Sequence, residues 1–316
     1  MFKQIVLAVA MLCSTPVIAQ PVKNGIVGVL HAADMPFIIA REKGMFMSRG
    51  VDMAPDVSFG NNATVQMALI TDDVNIASTT ALFNIIQSRH NTAGVIWVRA
   101  INKAPGVALY ASPEIKSIAD LRGKKVSAGG INDNTRLFTE IILEQGGLRF
   151  NDVEWFWAGT GSNRLMALQS KQIDAAILWP PFTEQAANSG FKSLGTTSSF
   201  KTIANKGLAV NEGWARKNPQ TVNHISDALT EAVDWLYDPK NLDEASRILS
   251  TYTKSSVEES KQGIQFYIVH KIYERSNLVY KQDIDYYIQV SRDWKNIKPE
   301  SKLSYEQIVW DTKNLR

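Results

Sequence analysis

Short clusters of polar side chains recur along this chain, and each could hold part of a small ligand. They are His31 with Asp34, Asn61 with Asn62, the triplet Ser78, Thr79 and Thr80, the loop residues Gly130, Asn132, Asn134, Thr135 and Arg136, then Thr160 with Ser162, and last Trp179. Most stand where an apolar run gives way to a helical pattern. A helix start leaves backbone N–H groups unpaired and points its positive dipole end outward, so hydroxyls and glycines there suit a compact anion. Arg136 would add a flat, forked charge. His31, Asp34 and Trp179 suit a different guest, an aromatic ring with hydrogen-bonding edges, and a carboxylate at close range repels an anion. Each residue also has a local role open to it. His31 can brace its loop, Asp34 can cap the helix at Pro36, Ser78 to Thr80 can cap the helix after them, and Arg136 can lie solvated in a first turn. Trp97 and Arg99 could line a floor beneath the clusters, although Trp97 fits a buried strand. The balance favours an organic anion, with a pyrimidine or aromatic acid as the alternative.

Catalytic and metal chemistry find less support. His31, His90, His224 and His270 are scattered, with no HExxH helix, no CxxC pair and no GxSxG elbow. The one cysteine, Cys13, falls in the leader described below, which leaves no thiol nucleophile and no disulfide. No enzyme, cofactor or metal is therefore expected from these residues. Basic residues number 34 against 31 acidic, an excess too small for a nucleic-acid surface.

The elements that must position these clusters alternate. The pattern is clearest at 120–148, DLRGKKVSAGGINDNTRLFTEIILEQGGL: a strand at 125–128, a polar glycine loop at 129–134, then a helix with Leu137, Ile141 and Ile142 on one face and Gly146-Gly147 to end it. Strands are expected at 24–30, 51–59, 74–77, 95–101 and 106–111, with helices at 36–43, after Asn62 and at 81–89. A second alternation places strands at 153–157, 173–178 and 191–194, and helices at 163–170 and through Ala187. Such βαβ succession predicts mostly parallel sheets flanked by helices. Beyond Asn218-Pro219 the pattern turns helical, at 219–237, 243–252, 257–273 and 282–294, as a cover packed back on the first unit.

With 316 residues, 45% of them apolar, the chain is long enough for two globular units. Its start reads as an address: Lys3, an apolar run at 5–12 and Val17-Ile18-Ala19 form a signal peptide at 1–19, cleaved after Ala19. The apolar run is too short to span a bilayer, and Leu12 argues against a lipid anchor on Cys13.

Several segments resemble the periplasmic solute-binding proteins of bacterial ABC importers, in the branch of nitrate, sulfonate, taurine and pyrimidine-precursor binders. The resemblance rests on PFIIAREKGMFMSRGVDM (36–53), SIADLRGKKVSAGG (117–130), MALQSKQIDAAILWPPF (166–182) and NPQTV (218–222). It implies an α/β fold of two lobes, 20–110 with 205–316 and 111–204, joined near 110–113 and 196–206 and closing on a ligand. It further implies a periplasmic monomer that takes a small organic anion such as a sulfonate or taurine and delivers it to an ABC permease in the inner membrane. Open α/β sheets bind at the carboxyl ends of their strands, where the polar clusters fall. The same fold hosts a fungal pyrimidine synthase with a cysteine-rich motif, which the mature chain lacks.

Overall fold

The computed structural model describes residues 20–91, 94–197, 203–276 and 278–310, with the backbone alone at 79–81. The expected leader, with Cys13 and the cleavage site, lies outside the described residues. In chain order the first half runs β1 (Asn24–Val27), α1 (Met35–Glu42), β2 (Val57–Phe59), α2 (Asn62–Ile70), β3 (Ile76–Ala81), α3 (Leu82–His90), β4 (Val95–Ala100), β5 (Ala108–Ala111), β6 (Lys125–Ala128), α4 (Asn134–Gln145) and β7 (Glu154–Trp157). It continues through α5 (Gly161–Gln169), β8 (Ala175–Leu178), α6 (Phe182–Asn188), β9 (Lys192–Thr196) and β10 (Lys206–Asn211). Helices close the chain: α7 (Glu212–Lys217), α8 (Pro219–Tyr237), α9 (Leu242–Thr253), α10 (Val257–Val269), α11 (Lys281–Asp293) and α12 (Tyr305–Ile308).

The strands form two five-stranded sheets, ordered β2-β1-β3-β10-β4 and β7-β6-β8-β5-β9. In each, four strands run one way and one runs against them: β10 is antiparallel to β3 and β4, and β5 is antiparallel to β8 and β9. Both reversed strands begin directly after the chain has crossed from the other sheet. The first crossing occupies residues 101–107, and the second leaves β9 after Thr196 and enters β10 at Lys206. The first lies ahead of the expected 110–113, because Tyr110 is already paired with Ala176 inside β5. Strand β10 has no counterpart in the sequence reading.

Burial explains most element choices. The whole of β4 is buried, as suits a strand covered on both faces. Its Arg99 does not reach a floor; fully buried, it donates to the Ser226 carbonyl (2.6 Å) and Thr230 Oγ1 (2.8 Å), pinning α8. Burial lowers its pKa to about 10. Gly207 in β10 is forced, since a Cβ there would stand 2.0 Å from the Trp97 ring. Helix α8 buries the expected stripe of Val222, Ile225, Leu229, Val233 and Leu236, and it packs on α1. The expected strand at 51–59 shrinks to β2, with Met53 making only an isolated bridge to Val22. The helix expected over 257–273 stops at Val269, and Tyr273 bridges back to Asn102 beside the first crossing.

Candidate functional site

The carboxyl ends of β1, β6, β7, β8 and the start of β10 face one another across a cleft. On the first-sheet side the chain leaves β1 and turns at His31 into a 3-10 turn, Ala32–Asp34. Asp34 Oδ2 accepts the His31 N–H (3.0 Å), and Asp34 Oδ1 accepts from Lys206 Nζ (2.7 Å), the first residue of β10. The same ammonium lies 3.0 Å from His31 Nε2, while the Ala33 N–H approaches His31 Nδ1 at 3.4 Å. A neutral imidazole has one acceptor nitrogen, and the shorter, charged contact has the stronger claim on it. His31, Asp34 and Lys206 are all buried. Burial first, then the Lys206 charge, push the His31 pKa down to about 3, so the ring is neutral. Asp34 is the N-cap residue of α1 but its side chain makes no capping bond, being held by His31 and Lys206 instead.

Next along this wall is the start of α2. Asn61 caps it, Oδ1 accepting from Thr64 N–H (3.0 Å), and Asn62 Nδ2 reaches across the cleft to Asp133 Oδ2 (2.6 Å). Asn62 Oδ1 is buried with no hydrogen-bond partner among the described residues.

The second-sheet wall is made by two helix starts that differ. Helix α4 is capped by Asp133, whose Oδ1 accepts from Thr135 N–H (2.9 Å) and Oγ1 (2.6 Å). Asn134 Nδ2 donates to Asn205 Oδ1 in the second crossing. Helix α5 is capped by the neutral hydroxyl of Thr160, which accepts from Asn163 N–H (3.2 Å) and pairs with Ser162 Oγ (3.0 Å). As first-turn residues, Gly161 and Ser162 have no intrahelical acceptor for their N–H groups. Arg164, one turn in, donates to the Ile177 carbonyl (2.8 Å) and to the Gly159 carbonyl. Complete burial lowers its pKa to about 10, against an opposing pull from Asp133, so it stays a cation at neutral pH. Gly159 holds φ at +69°, and a Cβ there would stand 2.9 Å from the Gly60 carbonyl oxygen across the cleft.

Trp179 directly follows β8 and donates its indole N–H to the Pro105 carbonyl (3.2 Å). Its ring stands 5.5 Å from the His31 ring, 5.6 Å from the Arg164 guanidinium and 5.9 Å from Lys206 Nζ.

Between the walls is a cavity of about 50 Å³. Of the residues expected from sequence, His31, Asn61, Asn62, Asn134, Thr135, Thr160, Ser162 and Trp179 line it. Gly130 and Asn132 sit in the turn before α4, outside the lining. Arg136 faces elsewhere, between the Phe150 and Trp294 rings with its Nε on Glu140 (2.6 Å). Ser78, Thr79 and Thr80 require correction. They are strand residues of β3, not a helix cap, and α3 begins only at Leu82. Ser78 is fully buried and exchanges two bonds with the Asn24 amide, both 3.0 Å; the side chains of Thr79 and Thr80 lie outside the described ones. The sequence reading missed Arg164, Lys206 and Phe182, all of which line the cavity, as does Asp133 of the expected polar loop. Arg164 stands four residues before Leu168 on the buried stripe of α5, a position that gives it away in retrospect.

This arrangement can hold a small anion. Two cations and the starts of α2 and α5 face the space; Asp34, expected at the site, lies outside the lining and is bonded to Lys206, while the one acid that lines the cavity, Asp133, is held by three donors.

A family model described as NMT1/THI5 like matches residues 32–241. The nitrate/nitrite binding protein NrtA of Synechococcus elongatus is 25% identical over 286 residues, covering 78% of this chain; the chain spans 63% of that relative's length. The solved alkanesulfonate-binding protein SsuA from Xanthomonas axonopodis pv. citri, bound to MOPS, superposes with a TM-score of 0.76 at 13% identity over 92% of this chain and 98% of that one. The periplasmic nitrate-binding protein NrtA from Synechocystis PCC 6803 gives 0.74 at 16% identity over 89% and 83%. Likeness at these identities shows a shared fold, two mixed sheets with flanking helices as in periplasmic binding proteins.

Proposed function

The chain belongs to the NMT1/THI5-like family, and from that premise we propose that it is the extracytoplasmic solute-binding component of an ABC importer, capturing a small organic anion of the sulfonate or taurine type between two lobes. The observation that carries this reading is the start of α5: two N–H groups without helical acceptors beside the buried Arg164 cation, opening on a compact cavity. The nitrate and sulfonate ligands named for its relatives fit the same chemistry, an oxyanion with several acceptor oxygens. Asp34 no longer argues against an anion, since Lys206 neutralises it.

The lobes follow sheet membership: 20–107 with 205–316, and 108–204, so that the first boundary falls ahead of β5 and not after Tyr110. Each lobe supplies one wall, so a bound anion joins them and favours closure. Binding rather than catalysis is proposed because the ionisable groups are held in pairs or bonded to backbone, with His31 kept neutral. The protein would act as a periplasmic monomer handing its ligand to an inner-membrane permease.

A second reading has one observation in its favour. Trp179, Phe182 and His31 form an aromatic side to the cavity, with His31 6.3 Å from Phe182, which suits a pyrimidine or aromatic acid. Calorimetric titration with ethanesulfonate, taurine, nitrate, benzoate and a hydroxymethylpyrimidine tests both. Saturable binding of a sulfonate or nitrate, weakened in Arg164→Gln, is expected. Binding of the pyrimidine alone would overturn the anion reading in favour of the second.

A further inference from the structure

Arg136 is a cation at a helix start that does not face the cavity, and its surroundings assign it a different task. Its guanidinium carbon lies 4.1 Å from the centre of the Phe150 ring and 3.9 Å from the centre of the Trp294 ring, in contact with both. The edge of the fork is held as well: Nε donates to Glu140 Oε1 at 2.6 Å and Nη1 to the Ile131 carbonyl at 2.9 Å. Glu140 in turn accepts a side-chain bond from Trp294.

These partners come from opposite sides of the cleft. Arg136 and Glu140 are on α4, and Phe150 follows it, all in the unit of the second sheet. Trp294 is the C-cap of α11, which packs on α3 of the first unit, and its ring stacks on Phe83 with centres 4.7 Å apart. A guanidinium bonds at its edges and stacks on its faces at once, so one residue can grip both units. The contact involves no cavity residue and needs no ligand.

We propose that Arg136, Glu140 and Trp294 form a latch between the lobes that stabilises the closed form whether or not the cavity is filled, so that Arg136 sets ligand affinity by positioning the lobes rather than by touching the ligand. The proposal rests on the two-lobe reading but on no ligand. A cation stacked on one aromatic face at a largely buried site such as that of Arg136 changes an equilibrium by roughly threefold to tenfold.

Spin labels on Met67→Cys and Met166→Cys, exposed positions on α2 and α5, report the distance between lobes in the mature protein without added anion. Arg136→Gln and Trp294→Leu should each raise the open-to-closed ratio about threefold to tenfold. Arg136→Lys, which keeps the charge but loses the flat faces, should fall between them and the parent. Arg122→Gln, which breaks an exposed pair with Asp152 within one lobe, is the control and should leave the distances alone. Melting curves separate closure from unfolding, and if one of the two main variants does not fold, the other decides. Distances unchanged from the parent in the folded variants would overturn the latch and leave the anion reading standing; a failed anion titration would leave the latch standing.

Discussion

The two walls of the cleft carry similar charges and use them differently. On the first, Asp34 and Lys206 are locked to each other and to a neutral His31, all buried. On the second, Asp133 seals the start of α4 with its own carboxylate, but α5 is capped by a hydroxyl and stands beside Arg164, whose bonded partners are carbonyls. A buried ion pair costs much desolvation and returns it only while both members stay. The first wall is therefore a structural clamp, and the second holds the cation to which the proposed function assigns the guest. Counting charged residues near a cleft does not distinguish these cases; asking which charges already have a partner does.

The largest effect should come from breaking the clamp. Asp34→Asn leaves Lys206 buried without a counter-charge and should cost about 3–5 kcal/mol of stability in urea denaturation. Arg164→Gln should instead show up mainly in binding. Loss of a hydrogen bond to a charged group is worth about 1.5–3 kcal/mol, roughly ten- to a hundredfold in the affinity of whichever anion titrates. If Arg164→Gln destabilised the fold as much as Asp34→Asn and left the affinity intact, the two walls would not differ in the way described.

Acid should sharpen the contrast. Above pH 6.5 His31 is neutral in both folded and unfolded chains; below it the unfolded chain binds a proton that the folded ring refuses until about pH 3. Stability should thus fall as pH falls through this window, by about 2 kcal/mol between pH 6.5 and 5. His31→Gln should remove that part of the slope in denaturation curves collected at each pH. The smallest effects concern the caps. Thr160→Ala and Asp133→Ala should each cost about 1 kcal/mol in melting experiments. Only Asp133→Ala also removes an acid that faces the cavity, so it should tighten anion binding in calorimetry while Thr160→Ala does not.

Much of the fold was legible because hydrophobic period survives folding. Strand 125–128 and the helix stripe from Val222 to Leu236 appear as read. The clusters of His31, Asn61, Asn62, Thr160 and Ser162 were legible too, since each follows a strand or caps a helix. Lys206 was not. It opens a strand whose two neighbours lie more than a hundred residues earlier in the chain, and no local pattern reveals such pairing. Ser78 was misread because a hydroxyl run before a helix looks like a cap, whereas the Asn24 amide holds it within the sheet. Arg136 was read as a ligand fork because its position was right and its stacking partner Trp294 lies far along the chain.

The reversed strands have a consequence for the order in which the molecule is assembled. All strands of the second sheet lie within residues 108–196, so that sheet can be completed from one continuous stretch. The first sheet cannot, because among the described residues it is β10 that joins β4 to β3. A chain delivered with its N-terminus first must therefore hold β1 to β4 unfinished while the later unit forms. Long-range pairing of this kind is slow, and unpaired strand edges are exposed while it waits. The lobe that starts the sequence is the one that finishes folding last.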